Sequence, residues 1–163
     1  MKQIRQIDHI LSKAEAWAII LLLSVMVILS GGQVILRNFF NQGILWADIL
    51  LRQIVLWVAL IGASLAVRER KHISIDVLPR MLPKSLGKPI RIFTDLSAGI
   101  ISAFLTYAAW NFLQFEKGAE TVLFNNIPVW IFQIILPLSF GLISIRFILA
   151  ALDGLLSYWD SNK

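Results

Sequence analysis

Cysteine is absent from the sequence. Disulfides, thiol nucleophiles, thiolate-bound zinc and iron–sulfur clusters are therefore excluded within this chain. Charge is scarce as well. Asp, Glu, Lys and Arg make up 15% of the 163 residues, where an ordinary soluble domain has about 25%. The two histidines, His9 and His72, fall outside the long apolar runs, whereas a haem-binding bundle would need them inside, on facing helices. The sequence shows no Gly-rich phosphate loop, metal-ligand spacing or nucleophile–base constellation. Nor does an acid stand in the central turns of any apolar run, where a self-sufficient ion-coupled carrier commonly keeps one. The expectation is a chain that is not an enzyme, takes no cofactor and carries no transport site of its own.

What the chain has in excess is apolar surface. Hydrophobic residues make up 58% of it, against about 45–50% in a soluble domain. They are blocked into long runs: residues 16–36, 49–67 (interrupted only by Arg52), 96–115 and 127–145, with apolar character continuing past Arg146 to Leu152. Each run approaches the roughly 20 residues that a helix needs to cross a hydrocarbon core of about 30 Å. Barrel strands would be shorter and would alternate. The fold class is an all-α integral membrane protein, a single membrane domain over residues 1–163. Four transmembrane helices are expected at about 15–37, 47–70, 90–117 and 127–152. The first run is too long for the apolar core of a signal peptide and carries on through Gln33 to Leu36, so it reads as a retained helix.

The net charge of +5 is placed for lipid, not for nucleic acid. Lys2, Arg5 and Lys13 precede helix 1. Arg68, Arg70, Lys71, Arg80, Lys84, Lys88 and Arg91 lie between helices 2 and 3, and Arg146 and Lys163 are in the tail. The other side has only Arg37, Arg52 and Lys117. The positive-inside rule puts both termini and the 2–3 loop in the cytoplasm. The two outer loops are short.

The outer turn "RNFFNQGILWAD" sets turn formers between aromatic residues suited to the headgroup level. Asp48 lies in the first turn of helix 2, where the helix dipole favours an anion. Arg52 follows at i+4, the favourable orientation for a helical ion pair. Three readings stay open for Arg52: that pair, a group on a partner protein, or direct substrate contact. Arg37 reads most simply as a snorkelling helix end, with proximity to Asp48 across the turn as the alternative. Arg68 and His72 share one face at the inner end of helix 2, facing lipid phosphate or a loop carbonyl.

Residues 73–84 read as a short amphipathic helix on the membrane surface, capped by Asp76, with Arg80, Lys84, Lys88 and Arg91 reaching lipid phosphates. Alternation at Ile73, Ile75 and Val77 would also suit a strand. Pro128 belongs in the first turn of helix 4, and Pro137 in its interior predicts a kink. Spacings such as Gly62/Ala66 and Gly99/Ala103 permit close helix packing. Trp57 and Trp110 sit deep enough that their indole N–H groups need acceptors or a partner surface.

Ten positions run in register from Gln33 to His72: Gln33, Val34 and Arg37, a turn, Trp46, Asp48, Arg52, Trp57, Gly62, Arg68 and His72. This pattern resembles the small permease subunit of the tripartite ATP-independent periplasmic (TRAP, DctQ-type) transporters. The second half of the chain is similar only in span number and general character. Many such subunits carry two adjacent acids after the first Trp; here the second position is Ile49, so a role that needs two carboxylates does not carry over. The resemblance implies a bacterial inner-membrane subunit and names its partners: a large multi-span permease that holds the substrate and ion sites, a periplasmic substrate-binding protein, and membrane lipids. It implies import of an organic anion such as a C4-dicarboxylate or sialic acid, driven by an ion gradient, commonly sodium, with this chain bracing the large subunit. Gln33, Arg37, Trp46, Asp48, Arg52, Trp57, Gly62, Arg68 and His72 are then candidates for subunit interface or structure.

Two other classes fit the same composition: a self-contained small dimeric exporter, which would transport when expressed alone, and a membrane scaffold with no transport role. The orientation is directly testable in a chain without native cysteine. Gln42→Cys and Asn125→Cys should react with an impermeant maleimide added outside intact cells, and Lys84→Cys should not.

Overall fold

The computed structural model describes residues 2–69, 84–123 and 126–160. Its elements are α1 (Lys2–Phe40), α2 (Leu45–Glu69), α3 (Lys84–Ala119), a short α4 (Val129–Gln133) and α5 (Ile135–Asp160). The fold is all-helical, and among the described residues there is no strand. Four stretches are long and apolar enough to cross a membrane: Asp8–Phe40, Trp46–Glu69, Pro89–Ala119 and Val129–Leu156. Of the segment 73–84 expected as a surface helix, residues 73–83, Arg80 among them, lie outside the described residues, as does His72, and Lys84 begins α3.

Local chemistry explains the boundaries. α1 ends where Asn41 takes a left-handed conformation, φ 51°, which Asn tolerates better than most residues. Arg37 in its last turn complements the helix dipole, as Asp48 does at the start of α2. Pro89 lies inside α3 but near its start, where the missing N–H removes one early ladder bond. Pro128 is the N-cap of α4 and not its first helical residue. Before it, Val122 and Pro128 form an isolated antiparallel bridge. Leu123 N–H donates to the Ile127 carbonyl and Val129 N–H to the Thr121 carbonyl, both at 3.0 Å.

Near Pro137, where a kink is expected, the helix is interrupted for one residue, Ile134, which keeps right-handed helical angles and donates its N–H to the Trp130 carbonyl. The helix stops at Gln133, turns at Ile134 and restarts at Ile135. Pro137 has no N–H to give the Gln133 carbonyl, and its ring crowds that oxygen. The break therefore falls one turn upstream of the proline.

Two compact units divide the chain. One comprises α1, α2 as far as Leu65, and residues 113–135; the other comprises α2 from Ala66, α3 as far as Phe112, and α5 from Leu136. In the first, α1 and α2 run antiparallel, and Ser12, Gln33, Ala47, Ile54, Ile61 and Ser64 are buried. In the second, Gly154 meets Ile92, Gly99 meets Phe147 and Ile148, and Gly141 meets Thr106. That register sets α3 and α5 antiparallel. Small residues are prominent among the buried positions (Ser12, Ala47, Ser64, Ser102, Ala109, Ser139, Ser144 and Ala151), while Trp17, Ile28, Phe104 and Phe115 point outward. This is the arrangement expected when the solvent is lipid: backbones approach through small residues, and bulk faces the acyl chains.

Gly99 is the tightest of these contacts with backbone. A methyl there would lie 3.0 Å from Ile148 Cγ1 and 3.5 Å from its backbone nitrogen. Gly99→Leu should destabilise the purified chain by about 1–3 kcal/mol, read as a lower thermal midpoint in detergent. Gly62→Ala, where a methyl meets nothing within 4 Å, should leave the midpoint unchanged or slightly raised.

Candidate functional site

The polar side chains of the first unit converge at three levels along α1 and α2. At the α1–α2 turn, buried Gln33 donates its side-chain N–H to the Ile44 carbonyl at 3.2 Å and to Asp48 Oδ1 at 3.0 Å. Arg37 Nη2 stands 3.8 Å from Asp48 Oδ2, with both side chains well exposed. The Arg37 guanidinium lies alongside Gly43. The exposed ion pair is worth tenths of a kcal/mol. The bond from a buried amide carries more, because an unpaired buried donor costs about 1–3 kcal/mol.

Asp48 therefore does not turn along its own helix to Arg52, as the i+4 spacing favours. It faces across the turn to Gln33 and Arg37. The physical reason is burial: Gln33 is enclosed between helices and its amide N–H group must find acceptors there, while its Oε1 has no partner among the described residues. Arg52 is exposed on the open side of α2 and has no hydrogen-bond or ion-pair partner among the described residues.

At the opposite end of the helix pair, Ser64 Oγ donates to Glu15 Oε1 at 2.9 Å, with both residues buried. One turn earlier Ser12 Oγ donates to the His9 carbonyl. Glu15 is the residue that sequence reasoning missed. It stands immediately before the first apolar run and reads there as one more flanking charge. The available signal was Ser64, a polar residue on the inner half of helix 2 that needed a partner.

Between these levels, Trp57 Nε1 donates to the Phe132 carbonyl at 2.8 Å. The acceptor lies beside the break before Pro137, where the helical ladder is interrupted. Trp57 is thus an internal anchor of this chain. Lys117 in the last turn of α3 places its Nζ 4.6 Å from the centre of the Trp130 ring of α4, a cation–π contact.

The other motif residues are dispersed. Trp46 is exposed near Asp48 on the first turn of α2. Gly62 touches nothing. Arg68 is half-buried and engaged in a polar contact. Lys84 and Lys88 lie on α3, and Arg91 pairs with Asp95 one turn on, at 3.9 Å. In the second unit Ser144 Oγ donates to the Gly99 carbonyl at 2.9 Å, and Arg146 is buried with its charge engaged. Among the described residues, no three histidine or acidic side chains converge to hold a metal ion. The chemistry of this arrangement is adhesion between helices.

Comparison with known proteins gives a consistent picture. The family described as "Tripartite ATP-independent periplasmic transporters, DctQ component" matches residues 16–156. A protein of Haemophilus influenzae whose assigned name is TRAP transporter small permease protein is 32% identical over 112 residues, covering 69% of this chain and 68% of that protein. The C4-dicarboxylate TRAP transporter small permease protein of Vibrio cholerae is 32% identical over 98 residues, 60% of this chain but only 42% of its own length. The sialic acid TRAP transporter permease protein of Haemophilus influenzae is 30% identical over 64 residues, 39% of this chain and 10% of that protein.

The three levels differ in what they contribute. Trp57→Phe should lower the unfolding free energy of the purified chain by about 0.5–1.5 kcal/mol through loss of the indole bond. Arg37→Ala should change it by under about 0.5 kcal/mol. Chemical denaturation in mild detergent, followed by the remaining tryptophans, separates the two.

Proposed function

The chain belongs to the DctQ component family of tripartite ATP-independent periplasmic transporters, and from that premise we propose how it serves import. It is a multi-pass inner-membrane subunit and not an enzyme. Its working partners are a large multi-span permease and a periplasmic protein that delivers the solute. The large subunit holds the solute and coupling ions, and this chain braces it in the bilayer. The coupling gradient is sodium, and the solute is an organic anion such as a C4-dicarboxylate or sialic acid, the substrates that two of the relatives carry in their names.

One observation supports the bracing role above the others. Four side-chain donors are spent on bonds between this chain's own helices: Gln33 to Asp48, Ser64 to Glu15, Trp57 to the Phe132 carbonyl and Ser144 to the Gly99 carbonyl; the buried amide oxygens of Gln33 and Gln133 take no hydrogen bond among the described residues. A carrier would aim such groups at a solute or ion near the bilayer midplane. The third relative adds weight. The stretch similar to this chain is a tenth of that much longer permease, so related helices occur joined to a larger transport protein. The orientation with both termini in the cytoplasm rests on the twelve cationic residues that fall on that side.

Coexpression with a candidate large permease and binding protein tests the reading. Sodium-dependent uptake of the bound anion should require all three chains, and this chain should co-purify with the large permease. Uptake by vesicles that contain this chain alone would overturn it.

A further inference from the structure

The outward faces of the helices are not alike. α1 presents Ile20, Leu21, Val27, Ile28, Val34 and Ile35, and α3 presents Phe93, Ile101, Phe104 and Phe115. These are the bulky apolar side chains that suit acyl chains. The open face of α2 is different. Arg52, Val55, Ala59, Gly62 and Ala63 recur at three- and four-residue spacing and so lie on one side of the helix. Arg52, Val55, Ala59 and Ala63 are exposed, and among the described residues no atom outside the local helix backbone comes within 4 Å of a methyl placed on Gly62. A glycine in a helix interior costs about 0.8–1.0 kcal/mol relative to alanine, and no contact inside this chain requires it. Gly31 and Gly32 on α1 are equally open, but they stand among bulky apolar neighbours and no charge accompanies them.

Arg52 supplies the second, independent observation. It lies four residues along α2 from Asp48, hence about 6 Å deeper, within the apolar span Trp46–Glu69. It has no partner among the described residues. A cation on a lipid-facing helix is disfavoured by about 2.5–3.5 kcal/mol at the bilayer centre, less near the rim. A narrow face with room for a second backbone and one unpaired cation at its outer end is a seat for a transmembrane helix that carries an acid.

We propose that the α2 face of Arg52, Val55, Ala59, Gly62 and Ala63 docks a transmembrane helix of the large permease subunit, and that an Asp or Glu near the outer end of that helix pairs with Arg52. The inference rests on the reading of this chain as a bracing subunit. It deepens that reading by naming the surface and the chemistry of its complement. The backbones approach closely at Ala59 and Gly62, and the ion pair fixes the register.

The test uses the full-length chain coexpressed with its large permease. A photoreactive amino acid at Ala59 should cross-link to the large permease, and one at Ile28 on α1 should not. Gly62→Leu and Arg52→Leu should each reduce co-purification about tenfold, a loss of about 1.4 kcal/mol, while the thermal midpoint of the isolated chain stays unchanged. Arg52→Lys should retain part of the association. Cross-links from Ala59 to lipid or to a second copy alone would overturn the proposal, as would full co-purification of both leucine variants. The latter would mean that Arg52 only snorkels to headgroups. A wild-type pair that fails to associate at all would take down the subunit reading together with this face. A wild-type pair that associates while the leucine variants do so equally well would take down the face alone.

Discussion

The bond from Gln33 to Asp48 is the contact on which the rest of the first unit is arranged. It closes the outer end of the α1–α2 hairpin and sets which residues of the two helices stand opposite one another. With that register fixed, Glu15 meets Ser64 at the other end. The two contacts are separated by 18 residues on α1 and 16 on α2, about 24–27 Å of helix. That is close to the thickness of a hydrocarbon core, about 30 Å. The hairpin is therefore latched near both rims, where polar groups are cheapest to place, and the stretch between relies on shape. Lipid offers no hydrophobic drive for helices to associate, so small side chains and a few hydrogen bonds must suffice.

The second unit reaches a similar end with less polarity. Glycines on both helices, Gly99 on α3 with Gly141 and Gly154 on α5, allow antiparallel contact at three levels. The Ser144 hydroxyl reaches the Gly99 carbonyl at the same place where the backbones come closest. Small residues and carbonyl acceptors thus do there what amide and carboxylate do in the hairpin. Both strategies leave the bulky apolar side chains for the outside, and α2 stands out because part of its open face does not follow that rule.

The sequence made the spans legible because lipid imposes a strong and simple demand, unbroken apolar length. Pro137 foretold the interruption of the fourth span, since a missing N–H acts locally and needs no knowledge of neighbours. The motif residues at the outer turn were legible as a group, but not their pairing. The i+4 spacing of Asp48 and Arg52 is a property of one helix. The competing claim of Gln33 arises only once α1 folds back and buries its amide. Glu15 was hidden for the same reason, because an acid beside an apolar run looks like a flank until a serine fifty residues away encloses it. The opposite case is Gly99 against Gly62. Both belong to small-residue spacings that look equivalent in sequence, yet one is filled by Ile148 and the other faces open space.

The extent of α1 carries a geometric consequence. Its 39 residues make a rod of about 58 Å. Hydrocarbon about 30 Å thick, crossed even at a steep tilt of 40°, takes up about 39 Å of that rod. With the Arg37 end set at one rim, the surplus of roughly 19 Å falls at the other, in the turns that begin at Lys2. The helix that starts this chain thus stands into the headgroup layer or the water beyond it as a rigid stub, well past the point where its membrane crossing is complete.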